Sequence, residues 1–128
     1  MEKNSVVIGM GSNIDPYINF SEAISRLRKL FTICALSPVR LTKPIGIIDQ
    51  PDFINCALLI KTSMSQSDVE LTMKNIEDDM GRDRTGPKFG PRNIDLDVVI
   101  WNDTVVDDNY YQRDFLKDAV EELTEQSY

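Results

Sequence analysis

Along residues 94–101, Ile-Asp-Leu-Asp-Val-Val-Ile-Trp, acidic side chains alternate with apolar ones. Successive side chains of a β-strand point to opposite faces. A strand here buries Ile94, Leu96 and Val98 and presents Asp95 and Asp97 together on its other face, their Cα atoms about 6.6–7 Å apart. Two convergent carboxylates on a rigid strand suit one or two hard divalent cations. Just upstream, residues 81–92 carry Arg82, Arg84, Lys88 and Arg92 against a single acid, Asp83. Cation-binding carboxylates beside a basic loop suit a polyphosphate, whose charge is neutralised from both sides. The competing reading is plainer: a solvated edge-strand face and a solvated basic loop.

The rest of the chain alternates strand-like and helical patterns. Residues 6–8 form a short apolar strand ending at Gly9 and Gly11. Asp15 and Pro16 have the character of an N-cap and a first helical residue. Ile18, Ala23, Ile24, Leu27 and Leu30 supply that helix's apolar stripe. Residues 32–41 read as a second strand interrupted at Pro38, and residues 53–60 as a third. Ser67 and Glu70 form a capping box for a second helix. In it Val69, Met73, Ile76 and Met80 recur at helical spacing, and Gly81 serves as C-terminal cap. Phe115, Leu116, Ala119, Val120 and Leu123 predict a C-terminal helix. The order βαββαβ implies an α+β fold, a ferredoxin-like antiparallel sheet with helices packed on it. Residues 1–128 read as one domain.

Composition narrows the function. With a net charge of −7, the chain is a poor partner for nucleic acid or an anionic membrane. No run is long enough to cross a bilayer and the N-terminus does not open a signal peptide, so a cytoplasmic location is expected. Histidine is absent, which excludes His-based zinc sites and triads. Cys34 and Cys56 sit in apolar runs and read as buried free thiols. Gly9 and Gly11 follow a strand, but the third glycine of a dinucleotide fingerprint is missing. Asn55 interrupts an apolar run, and a buried amide needs partners, from a ligand's edge or from backbone. For Phe53, core packing competes with stacking on a ligand.

Four segments carry a family resemblance. They are Ile8-Gly9-Met10-Gly11-Ser12-Asn13, Asp49-Gln50-Pro51-Asp52-Phe53-Ile54-Asn55, Glu77 through Gly81-Arg82, and Gly90-Pro91-Arg92-Asn93-Ile94-Asp95-Leu96-Asp97-Val98-Val99. In this order they resemble the 6-hydroxymethyl-7,8-dihydropterin pyrophosphokinases of folate biosynthesis, in a short form that lacks the usual C-terminal region. The resemblance implies transfer of pyrophosphate from ATP to 6-hydroxymethyl-7,8-dihydropterin, releasing AMP, with two magnesium ions held by Asp95 and Asp97. It implies catalytic roles for Arg82 and Arg92, and nucleotide contacts from Glu77, Arg82, Arg84, Lys88, Arg92 and Arg113. It implies that Thr42 and Asn55 read the pterin's polar edge between aromatic walls at Phe53 and Phe115. The chain departs from the family in having no histidine, Thr85 where a base is common and Phe89 where Trp is common. Two further readings stand beside the enzyme: a catalytically weak paralogue that binds pterin or nucleotide, and a non-enzymatic ferredoxin-like interaction module. The oligomeric state is not legible.

Overall fold

The computed structural model describes residues 3–43, 49–81, 93–107, 118, 121 and 123. In it β1 (Asn4–Ser12) lies between β4 (Phe53–Thr62) and β5 (Asp95–Trp101) and is antiparallel to both. β2 (Thr32–Leu36) and β3 (Arg40–Thr42) pair with successive stretches of β4, and β6 (Thr104–Val105) closes a short hairpin on β5. The strand order is β2-β4-β1-β5-β6, with β3 also on β4. Two helices, α1 (Pro16–Leu30) and α2 (Gln66–Asp79), complete an α+β arrangement.

Alternation along the strands sorts their side chains onto two faces. Val6, Ile8 and Met10 of β1, Ile54, Cys56, Leu58 and Ile60 of β4, and Ile94, Leu96 and Val98 in and beside β5 form the main core with the helices. From α1 come Phe20, Ala23 and Leu27, and from α2 come Val69, Met73 and Ile76. Burying each large aliphatic side chain contributes about 1.5–3 kcal/mol, so this face holds the sheet to its helices. On the opposite face Val7, Ala57, Val99 and Leu123 form a smaller cluster. Asp118, Glu121 and Leu123 are helical, while Phe115, Leu116, Ala119 and Val120 of the expected C-terminal helix lie outside the described residues.

The helix boundaries refine the sequence expectations. Pro16 opens α1 as expected, but Asp15 sits in the left-handed region at φ 41° and its side chain makes no capping bond. Ile18 is 72% exposed. It lies two residues from buried Phe20, which at about 100° per residue puts it on the far side of the helix. Leu30, the last helical residue, is also exposed. For α2 the cap is Ser65, whose Oγ accepts from Asp68 N at 3.2 Å, in place of the expected Ser67. Gly81 follows the C-cap Met80 at φ 90°, a conformation glycine adopts without a Cβ penalty.

Two bulges alter the faces. The β2–β4 register shifts between Ile33 and Ala35, which leaves Cys34 as the extra residue. Cys34 is therefore exposed, contrary to the expectation of burial, whereas Cys56 is buried; both thiols are free. On β5, Val7 pairs with Ile100 and Ile8 with Val98, so Val99 is the extra residue. Past it Val99 and Ile100 share one face, and Trp101 returns to the helix side. Among the described residues no helix is long and apolar enough to cross a membrane.

Candidate active site

Pairing register places the singled-out residues. In an antiparallel sheet, directly opposed residues carry their side chains on the same face. Gly11 is opposite Asp95 on one side and Asn55 on the other, and Asn55 is opposite Arg40. One row thus runs Asp95–Gly11–Asn55–Arg40 across four strands. A second runs Asp97–Gly9–Ala57, and Phe53 is opposite Thr42. All lie on the face away from α1 and α2. Asp95 and Asn55 are two strands apart, about 10 Å between Cα atoms, with glycine between them. The carboxylate pair and the amide therefore flank a low floor built from Gly9, Gly11 and Ala57.

Asn55 is held tightly in this row. Its Nδ2 donates to Thr42 Oγ1 at 2.5 Å, a diagonal contact between β4 and β3. Its Oδ1 lies 2.7 Å from where a Cβ on Gly11 would stand, so only glycine leaves the amide in place. Phe53 and Thr42 are half-buried. At the same end of β1, buried Asn13 donates through Nδ2 to Gln50 Oε1 and to Pro51 O, both at 2.9 Å. These bonds fix the segment that leads into Phe53.

Asp95 is half-buried and Asp97 exposed. Together they offer hard oxygen donors, and magnesium is commonly bound by one or two carboxylates while substrate phosphates and water complete its shell. The donor chemistry thus fits a nucleotide-borne magnesium ion. Among the described residues no group of three or more His, Cys, Asp or Glu gathers to hold a metal. Glu77 does not share the open face. It projects from α2, is 4% exposed, and its Oε2 accepts from Leu96 N at 2.8 Å. Arg82, Arg84, Lys88, Arg92, Arg113 and Phe115 lie outside the described residues.

The described residues on either side of 82–92 are joined. Asn93 Nδ2 donates to Met80 O, and Asn93 Oδ1 accepts from Ile94 N at 2.9 Å. Asn93 thus clasps the end of α2 to the start of β5, next to Asp95. Asn13 and Asn93 fall in the segments that carry the resemblance but receive no role from the sequence, and Arg40 lies outside them; each is a polar residue at an element boundary, which a single sequence does not separate from ordinary loop chemistry.

The 7,8-dihydro-6-hydroxymethylpterin-pyrophosphokinase (HPPK) family model matches residues 7–125. The chain belongs to this family. It is 34% identical over 103 residues to the 2-amino-4-hydroxy-6-hydroxymethyldihydropteridine pyrophosphokinase of Aquifex aeolicus, an alignment covering 80% of this chain and 64% of that one. The protein of the same name from Bacillus subtilis is 33% identical over 102 residues, 77% of this chain and 60% of the relative. A folate synthesis bifunctional protein of Arabidopsis thaliana is 37% identical over 99 residues, 75% of this chain and 20% of the relative. The chain therefore spans less than two thirds of the length of these HPPK relatives.

Proposed function

We propose that the protein transfers the β,γ-pyrophosphoryl group of ATP to the hydroxymethyl oxygen of 6-hydroxymethyl-7,8-dihydropterin, releasing AMP. The observation that carries this reading is the row Asp95–Gly11–Asn55 with its neighbour Asp97–Gly9–Ala57, which together set a carboxylate pair and a fixed amide on one face across a low floor. Family membership supplies the substrate class.

In this reading Asn55, oriented by Thr42, bonds the polar edge of the pterin, and Phe53 stacks on the ring. Phe115 forms the opposite wall. Asp95 and Asp97 face the transferred group and would hold two magnesium ions. Magnesium, when bound, neutralises phosphate charge and orients the reacting oxygens. Arg82 and Arg92 clamp the phosphates, with Arg84, Lys88 and Arg113 as further nucleotide contacts, while Glu77, buried on the helix side of the sheet and bonded to Leu96 N, is left out of that set. Transfer of this kind asks the protein chiefly for alignment of the acceptor oxygen and for charge stabilisation. The strand order and the helical state of Asp118, Glu121 and Leu123 support the ferredoxin-like plan with a C-terminal helix in a single domain.

The test is direct. Purified protein with ATP, magnesium and the hydroxymethyl pterin should form AMP, and omission of either pterin or magnesium should abolish it. ADP as the main product would refute pyrophosphoryl transfer. Binding of both ligands without turnover would establish the binding paralogue in its place.

A further inference from the structure

We propose that Glu77 is a positioning residue for the Asp95–Asp97 pair, holding the outer edge of β5 so that both carboxylates keep their direction. The proposal rests on the reading of those carboxylates as cation ligands given above.

β5 has β1 along one side. On its other side β6 pairs only with Ile100 and Trp101, so among the described strands none reaches the outer edge at Leu96. The Leu96 N–H is instead taken by Glu77 Oε2 at 2.8 Å, from a side chain 4% exposed against a residue 3% exposed. A helix thus does at this point what a neighbouring strand would do. The bond falls on the residue between the two aspartates, one Cα step of about 3.8 Å from each. Because Asp95 and Asp97 share one strand face, a twist of the strand at Leu96 turns both carboxylates together. A side-chain oxygen brought in from the helix spares this buried N–H the cost of going unpaired. Met73 and Ile76, on the same helix, pack in the core with Leu96, so the anchor is itself rigid.

The test compares Glu77→Leu, Glu77→Gln and Asp95→Asn with the parent chain. Circular dichroism checks the fold, and calorimetry reads Mn2+ affinity in the presence of a non-hydrolysable ATP analogue. Loss of an outer support around a metal site typically weakens affinity about 10–100-fold. Glu77→Leu should lose about tenfold or more while its KM for the pterin, bound two strands away, stays near the parent value. Glu77→Gln, which keeps an acceptor oxygen, should recover most of the loss. Parent-like Mn2+ affinity in Glu77→Leu, with Asp95→Asn impaired, would overturn the proposal alone. Parent-like affinity in Asp95→Asn would overturn the carboxylate reading and the proposal with it. Glu77→Gln as weak as Glu77→Leu would also overturn it, since charge and not the bond would then matter. Should Glu77→Leu fail to fold, hydrogen exchange at the Leu96 amide in the parent and in Glu77→Gln decides: protection in both supports the proposal, and fast exchange in the parent overturns it.

Discussion

Asn55 Oδ1 lies 2.7 Å from the point where a Cβ on Gly11 would stand, straight across the pairing of β1 with β4. Gly11 also faces Asp95 on its other side, so one glycine separates the amide from the carboxylates. Gly11→Ala should keep the fold, because the displaced atom ends a side chain and not a strand. It should push the Asn55 amide off its Thr42 partner. A lost hydrogen bond at a buried polar edge costs about 1–3 kcal/mol, so pterin affinity should fall roughly one to two decades. Calorimetry with pterin and an ATP analogue checks this, and Asn55→Ala should show a loss of similar size.

Asp95→Asn and Asp97→Asn should each lower turnover by orders of magnitude without unfolding the chain. Both side chains leave the sheet on the face away from the helices, whereas the core is filled by Ile94, Leu96 and Val98. Removing a metal-bridging carboxylate removes charge stabilisation worth several kcal/mol. AMP release measured across a magnesium titration tests it. Near-parent turnover at limiting magnesium in either variant would exclude the two-carboxylate site.

What the sequence revealed was local. The alternation of residues 94–98 correctly separated the aspartates from the core, and Val69, Met73 and Ile76 marked the buried side of α2 at their helical spacing. What it concealed depended on register. The extra residues Cys34 and Val99 arise where paired strands slip by one position, and neither strand alone records the slip. The same holds for the row that joins Asp95 to Asn55, since those residues are neighbours only through Gly11. The Asn93 clasp and the Glu77 bond each link groups whose relation appears only after α2 has docked on the sheet.

The two thiols should behave oppositely. Burial pushes the Cys56 thiol up from its ordinary 9.0 to about 12. The folded chain keeps this proton where the unfolded chain has released it, so stability from this group is intact below the ordinary value and is lost as pH rises toward the folded one. Urea unfolding on either side of the ordinary thiol value should show an alkaline loss that Cys56→Ala diminishes. In the native protein a thiol reagent should label exposed Cys34 at once and Cys56 only after unfolding. Equal labelling of both in the native state would contradict the placement of Cys56 in the core.

Asn13 offers a test of how the pterin slot is built. Its buried amide bonds Gln50 Oε1 and Pro51 O, and the chain enters β4 at Phe53 two residues beyond Pro51. Asn13→Ala removes two hydrogen bonds to acceptors that water can reach in part, a loss of about 0.5–1.5 kcal/mol for each bond. Thermal unfolding should register this as a fall of several degrees. The binding effect should be selective. Phe53 is the proposed stacking wall, so pterin affinity should drop, while binding of the ATP analogue alone, centred on β5 at the other side of Gly11, should change little. Equal losses for both ligands would mean that Asn13 supports the sheet as a whole, and pterin affinity unchanged despite a lowered melting temperature would mean that Phe53 does not depend on this anchor.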